Sequence, residues 1–297
     1  MAENGTNHST PPSETTPEGV PDSGFGVNSA RPGSEGRRFR QVEALGPSVR
    51  SVSRFVHTHY LLGVLEPGKR VLEVGGASSE LTRIIARAGC RVVISDASEE
   101  VLDSHRLRCS QMAIESAVEG RVCTGRGGLS QRLSDSFDVV VSFESRFASG
   151  CEDESPKWSD LVRVCREGGY LLFSVLSLWG GVGGYLKRGP ERRVFLNGPE
   201  KERREDLPAS WTEAGSRCEM FRAKDLREMV RSLDLEMVVI SASNALSVGW
   251  GDFLHKARQD PDQWRQLIRL ELKTCREEAC LDMGTRIIIL GRKPPRP

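Results

Sequence analysis

The sequence predicts an α/β fold, a doubly wound and mostly parallel sheet of seven strands with helices on both faces. Three observations predict it. The stretch Arg70 to Asp96 reads strand, glycine turn, helix, strand. Short apolar runs alternate with amphipathic helical segments along the rest of the chain, the pattern of crossover connections in a parallel sheet. Two carboxylates, Glu73 and Asp96, stand at or near the carboxyl ends of what should be neighbouring strands, the edge at which open α/β sheets bind ligands.

Before that unit, residues 1–36 are rich in Pro, Ser, Thr, Gly and Glu with almost no aliphatic residues, a composition that predicts a disordered tail. It has no apolar segment of the kind a secretory signal requires. Arg37-Arg38-Phe39-Arg40 is read as a solvated approach to a domain spanning 37–293. From Pro47 to Leu65, Val49, Val52, Phe55, Val56, Leu62 and Leu65 fit an amphipathic helix. His57 and His59 lie on it. Either is a candidate for a pocket wall, although helix packing or surface exposure accounts for both. Gly63 to Lys69 imitates a phosphate loop but precedes its strand and lacks the following Ser or Thr.

Val71, Leu72 and Val74 then form a strand buried on both faces. Gly75 and Gly76 allow a sharp turn and a close approach of backbone to ligand. Leu81, Ile84, Ile85 and Ala88 recur at helical spacing, with Ser78 or Ser79 as cap and a stop at Gly89. The second strand, Arg91 to Ser95, ends on Asp96, where an acid accepts hydrogen bonds from both hydroxyls of a ribose.

Glu73-Val74-Gly75-Gly76-Ala77-Ser78-Ser79, followed by Asp96-Ala97-Ser98, resembles the cofactor-binding half of the class I, seven-strand S-adenosylmethionine-dependent methyltransferases. That resemblance implies a Rossmann-like sheet whose last strand is antiparallel, S-adenosylmethionine as cofactor and methyl transfer as the reaction. It implies that Glu73 and the loop Gly75, Gly76, Ala77 hold the methionine end, and that Asp96 with Ala97 holds the ribose. The chain departs from the family's usual loop at Ala77 and Ser79, where later glycines would stand.

Further along, Ser98 to Ala117 reads as a helix and Arg121 to Thr124 as a third strand. Family members commonly carry an acid next, against the adenine; Thr124-Gly125-Arg126 offers none, so backbone amides and apolar contacts are expected there. Phe137 to Phe143 resembles the family's fourth strand. Its end, Ser142 and Phe143, should face the cofactor, and Glu144 beyond it is the best-placed general base by position. Trp158 to Arg166 is a helix that Gly168-Gly169 turns into the strand Tyr170 to Val175. Leu176 to Arg217 breaks the rhythm as an insertion near 176–217, read as a substrate lid ahead of a surface insertion with no role. Phe221 to Val230 gives a helix and Leu235 to Ser241 a sixth strand. A second expected substrate-lid insertion near 243–283 holds a helix over 262–275 and a further candidate base, His255. Gly284 to Leu290 is the seventh strand.

Composition narrows the function. A formal net charge of +1 argues against a dedicated nucleic-acid surface, as does Phe143-Glu144-Ser145-Arg146 where base-methylating enzymes carry an Asp-Pro-Pro-Tyr type signature. No run is long and apolar enough to span a bilayer. The eight cysteines lack C-x-x-C spacing and are read as reduced, which points to the cytoplasm; no metal site is expected. A small-molecule acceptor is the default, with protein or RNA acceptors left open. Two rivals stand beside an active methyltransferase: a nicotinamide dehydrogenase, which needs G-x-G-x-x-G spacing that this loop lacks, and a catalytically inert relative serving as a binding scaffold.

Overall fold

The computed structural model describes residues 34–45, 51–75, 78–124, 129, 136–143, 158–181, 210–213, 216–248 and 250–295. Seven strands form the main sheet: β1 (Arg70–Val74), β2 (Arg91–Asp96), β3 (Val118–Cys123), β4 (Phe137–Ser142), β5 (Cys165–Leu176), β8 (Glu236–Ala242) and β9 (Arg286–Arg292). Between β5 and β8 in the chain, β6 (Ser210–Glu213) and β7 (Ser216–Glu219) make a separate two-stranded hairpin. The sheet order is β3-β2-β1-β4-β5-β9-β8, and only β9 runs antiparallel to its neighbours. This is the doubly wound, mostly parallel sheet that the sequence predicts, with the antiparallel last strand that the family resemblance implies.

Why these strands are central follows from their side chains. Along β1, Val71 faces one apolar layer and Leu72 and Val74 the other. Both layers exclude water, so the inner strands β1, β2, β4 and β9 are buried on both faces. Helices α2 (Val52–Leu62), α3 (Ser79–Arg87) and α4 (Glu99–Gln111) contribute to the first layer. Helices α5 (Trp158–Val164) and α6 (Ala223–Ser232) cover the second. Ser51, Ser78 and Ser98 cap α2, α3 and α4 by accepting backbone N–H groups.

Helix α1 (Ser34–Glu43) departs from the expected solvated approach and tail boundary. Phe39 and Val42, three residues apart, put one face into the core, and the stem of Arg38 is buried beside them. A second difference lies at β5, which begins at Cys165 and runs through Gly168-Gly169 where a turn is expected. Gly168 takes φ +72°, and the pairing with β4 shifts register there. In the second insertion, α7 (Gly251–Ala257) is followed by α8 (Pro261–Thr274). Leu267, Ile268 and Leu272 of α8 join the layer that holds α2, so this helix is part of the fold's own wall. The described cysteines 90, 109, 123, 165, 275 and 280 are all free thiols. No helix among the described residues is long and apolar enough to cross a membrane.

Candidate functional site

Register places three strand ends side by side. Glu73 on β1 lies opposite Ile94 on β2 and Val141 on β4, so Gly75, Asp96 and Phe143 end their strands along one edge. Gly75 takes φ +72°, a left-handed turn that a residue with a Cβ enters only at a cost. Its N–H donates to the Ser95 carbonyl at 2.8 Å, tying the β1 turn to β2.

Glu73 is 1% exposed. One carboxylate oxygen accepts the Ser78 N–H at 2.7 Å, and the other accepts the Thr82 hydroxyl at 2.9 Å. The side chain thus closes the turn from beneath, drawing the start of α3 back onto β1. Asp96 uses Oδ1 to accept the Ser98 N–H at 3.0 Å; among the described residues Oδ2 has no partner. A carboxylate oxygen left open at the end of β2 is the donor-seeking group that a ribose hydroxyl would satisfy. Beside it the Asp96 carbonyl accepts both the N–H and the hydroxyl of Thr124, so the start of the loop after β3 is held to β2.

The end of β4 carries different chemistry. Ser142 is buried and donates its hydroxyl to the Val74 carbonyl at 2.7 Å, which uses that side chain to lock β4 to β1. The Phe143 carbonyl accepts from Ser174 Oγ at 2.8 Å and from Arg286 Nη1 at 3.0 Å. Against the Phe143 ring, edge to face at 4.6 Å between centroids, sits His57 from α2. Its Nδ1 lies 2.7 Å from the Ser53 carbonyl, which only accepts, so the proton is on Nδ1. Nε2 is left as a bare lone pair, buried and without a hydrogen-bond partner among the described residues. Burial, with the Arg286 charge nearby, holds the His57 pKa down at about 4 against the opposing effect of Ser53, so the ring is neutral at physiological pH.

Gly76, Ala77 and Glu144 lie outside the described residues. Ala97 is exposed just past β2, its carbonyl accepting from the Cys123 thiol. His255 is exposed on α7 with Gln259 as its described neighbour, and no described contact joins it to Phe143 or His57. Among the described residues no group of three His, Cys, Asp or Glu side chains has the arrangement of a metal site. His57 is the group that the spacing of residues did not single out, because a lone histidine on an apolar helix face has no signature of its own. The Phe143 ring against it and its Nδ1 bond to Ser53 distinguish it from His59, whose two ring nitrogens are both buried with no hydrogen-bond partner among the described residues.

The residues present fit S-adenosylmethionine in their donor set: a left-handed glycine turn over a buried acid at β1, and an open carboxylate oxygen at β2. A family model described as a methyltransferase domain matches residues 48–240. No curated protein sequence matches the chain. Among solved structures, a geranyl diphosphate methyltransferase in complex with S-adenosylmethionine is similar at 14% identity and TM-score 0.48, over 92% of this chain and 95% of that one. The [4+2]-cyclase SpnF is similar at 17% and 0.48, over 87% and 82%. The Burkholderia thailandensis 1,6-didemethyltoxoflavin-N1-methyltransferase is similar at 15% and 0.46, over 95% and 93%.

Proposed function

The chain belongs to the methyltransferase-domain family and is an S-adenosylmethionine-dependent methyltransferase; from that premise we propose that it methylates a hydroxyl group of a small molecule, with His57 receiving the hydroxyl proton. The observation that carries this reading is the bare Nε2 of His57, buried against Phe143 at the end of β4. When bound, S-adenosylmethionine supplies a methyl group made electrophilic by the positive charge on sulfur. Glu73 and the turn Gly75, Gly76, Ala77 would hold its methionine end. Asp96, with Ala97, would hold the ribose, and Phe143 would wall the crevice on the β4 side with Ser142 beneath it.

His57 is suited to the acceptor's side of the reaction. Its Nδ1–H bond to Ser53 fixes the ring, and Nε2 then accepts a hydrogen bond from an acceptor O–H, leaving an oxygen lone pair free to attack. A base with a pKa near 4 is weak, and it takes the proton once the oxygen has begun to carry positive charge. An alkylated hydroxyl is a strong acid and yields its proton to such a base; an alkylammonium group would keep it. The low basicity of His57 therefore favours oxygen over an aliphatic amine. Glu144, next in the chain after Phe143, is proposed to pass the proton outward.

Leu176 to Arg217 is proposed as the cover of this crevice. It starts where β5 ends, two residues after Ser174, whose hydroxyl binds the Phe143 carbonyl. A small acceptor accords with the burial of His57, which is only 7% exposed.

The test is methyl transfer from isotopically labelled S-adenosylmethionine to a panel of phenols, alcohols and amines. Label is expected on a hydroxyl compound, and His57→Gln should lower turnover by roughly 100-fold or more with cofactor affinity unchanged. Label on amines alone would overturn the choice of oxygen. Full turnover in His57→Gln would remove the proton-accepting role.

A further inference from the structure

Beneath the glycine turn, a chain of polar side chains runs through the layer between the sheet and helices α3 and α4, and the function above uses only its last member, Glu73. Arg121 on β3 donates Nε–H to His105 Nδ1 at 3.3 Å. His105 Nε2 lies 2.9 Å from the Thr82 hydroxyl, and that hydroxyl lies 2.9 Å from Glu73 Oε2. Glu73, Thr82 and His105 are each at most 1% exposed. At the outer end Glu115 accepts both Nη groups of Arg121 at 2.7 Å, a forked pair that fixes the guanidinium plane.

Donor chemistry gives this chain one direction. A guanidinium only donates, so His105 Nδ1 must be the accepting nitrogen and the ring proton sits on Nε2. Nε2–H then donates to Thr82 Oγ1, at 2.9 Å the nearer of its two neighbours, the Cys109 sulfur lying 3.4 Å away. The single hydroxyl hydrogen of Thr82 is left for Glu73, whose ionised carboxylate only accepts; the Ser78 carbonyl, at 3.2 Å, is the longer and uncharged alternative. Burial and the Arg121 and Arg108 charges hold the His105 pKa down at about 4, so the imidazole is neutral and has the one ring proton that the sequence of donors requires.

We propose that Thr82, His105 and Arg121 are positioning residues for the cofactor: their directed hydrogen bonds orient the Glu73 carboxylate, and Glu73 in turn sets Ser78 and with it the start of α3 beside Gly75. This rests on the reading that the crevice holds S-adenosylmethionine. None of the three reaches the ligand; each acts through the carboxylate. Glu73 Oε1 accepts the Ser78 N–H, so rotation of the carboxyl group about its bond to Cγ would lose this contact together with the one to Thr82. The Thr82 hydroxyl is the one link that can be removed with little change in volume.

Two measurements on the full chain test the proposal. The first is calorimetric titration of wild type, Thr82→Val and Thr82→Ser with S-adenosylhomocysteine. Thr82→Val should weaken binding about ten-fold or more, the loss expected for one hydrogen bond to a charged group, and Thr82→Ser should restore it to within about two-fold of wild type. The second is the ¹⁵N spectrum of the histidine rings in wild type, which should show His105 as the Nε2–H tautomer and needs no variant to fold. Wild-type affinity in Thr82→Val, no rescue by Thr82→Ser, or an Nδ1–H tautomer at His105 would overturn the relay. Failure of wild type itself to bind would overturn the reading of the crevice and the proposal with it, whereas binding by wild type with Thr82→Val unchanged overturns the relay alone.

Discussion

Replacing Glu271 should loosen the loop that follows β8, and the structure fixes how much. Glu271 lies on α8 with no exposed surface. Its Oε1 accepts the N–H groups of Ala245 and of Leu246, the latter at 2.9 Å, and Oε2 accepts that of Ser247 at 3.0 Å. Three consecutive backbone donors therefore converge on one buried carboxylate, and the Cys275 thiol lies 3.4 Å from it. In Glu271→Ala, the two part-buried donors would cost about 1 kcal/mol each and the buried Ser247 donor about 2 kcal/mol, roughly 4 kcal/mol together. Glu271→Gln keeps one accepting oxygen but turns an NH₂ group towards donors, and should cost about 2 kcal/mol. The loss would reach the site. Ser243 N–H donates to the Arg286 carbonyl and Asn244 Oδ1 accepts from Thr285, so this loop braces the residue that holds Phe143. The assay is urea unfolding followed by circular dichroism, in which the midpoint should fall with an unchanged slope. A Glu271→Ala variant within about 0.5 kcal/mol of wild type would refute the reasoning, since it would mean that packing alone holds the loop.

Acid should destabilise the fold before the carboxylates titrate. Burial lowers the pKa of His57 and His105 to about 4 and of His59 to about 3, and Arg286, Arg121 and Arg108, and Arg38 and Arg276 act on them in the same direction. The unfolded chain, with histidines near 6.5, binds protons first, so the stability is fully present above about pH 6.5 and is lost as pH falls towards 4. About 2 kcal/mol should be lost per imidazole by pH 5, read as a falling urea midpoint between pH 7.5 and 5; a flat midpoint would contradict the buried neutral rings. Asp96→Ala should weaken S-adenosylhomocysteine binding by about 1.5–3 kcal/mol in calorimetric titration, and an unchanged affinity would remove the ribose assignment.

The sequence was most legible where a segment is buried on both faces or punctuated by special backbone. The unit from Arg70 to Asp96 has strands, helix and cap where its apolar runs, Ser78 and Gly75 put them, because two-sided burial leaves an unbroken apolar run and a left-handed turn demands glycine. Helix α1 was not legible: Phe39 and Val42 are its main apolar contacts among charged residues, and only the groove beside α2 makes them a buried face. Nor was the start of β5, whose first residue, Cys165, pairs with Phe137 across a glycine bulge that reads locally as a turn. In the site, Asp96 was visible as an acid ending a strand. His57 was visible only as a pocket-wall candidate beside His59, and His105 not at all, since what matters is the nitrogen that each leaves bare or commits, and this depends on Phe143, Thr82 and Arg121 arriving from other elements.

The most direct test of the central claim is calorimetric titration of the purified full chain with S-adenosylmethionine, S-adenosylhomocysteine and NAD in parallel. Binding of both sulfur nucleotides in the micromolar range, roughly −8 kcal/mol, with none of NAD, is the result predicted from Glu73, Gly75 and Asp96. Binding of NAD with neither sulfur nucleotide, or of none of the three, would contradict it.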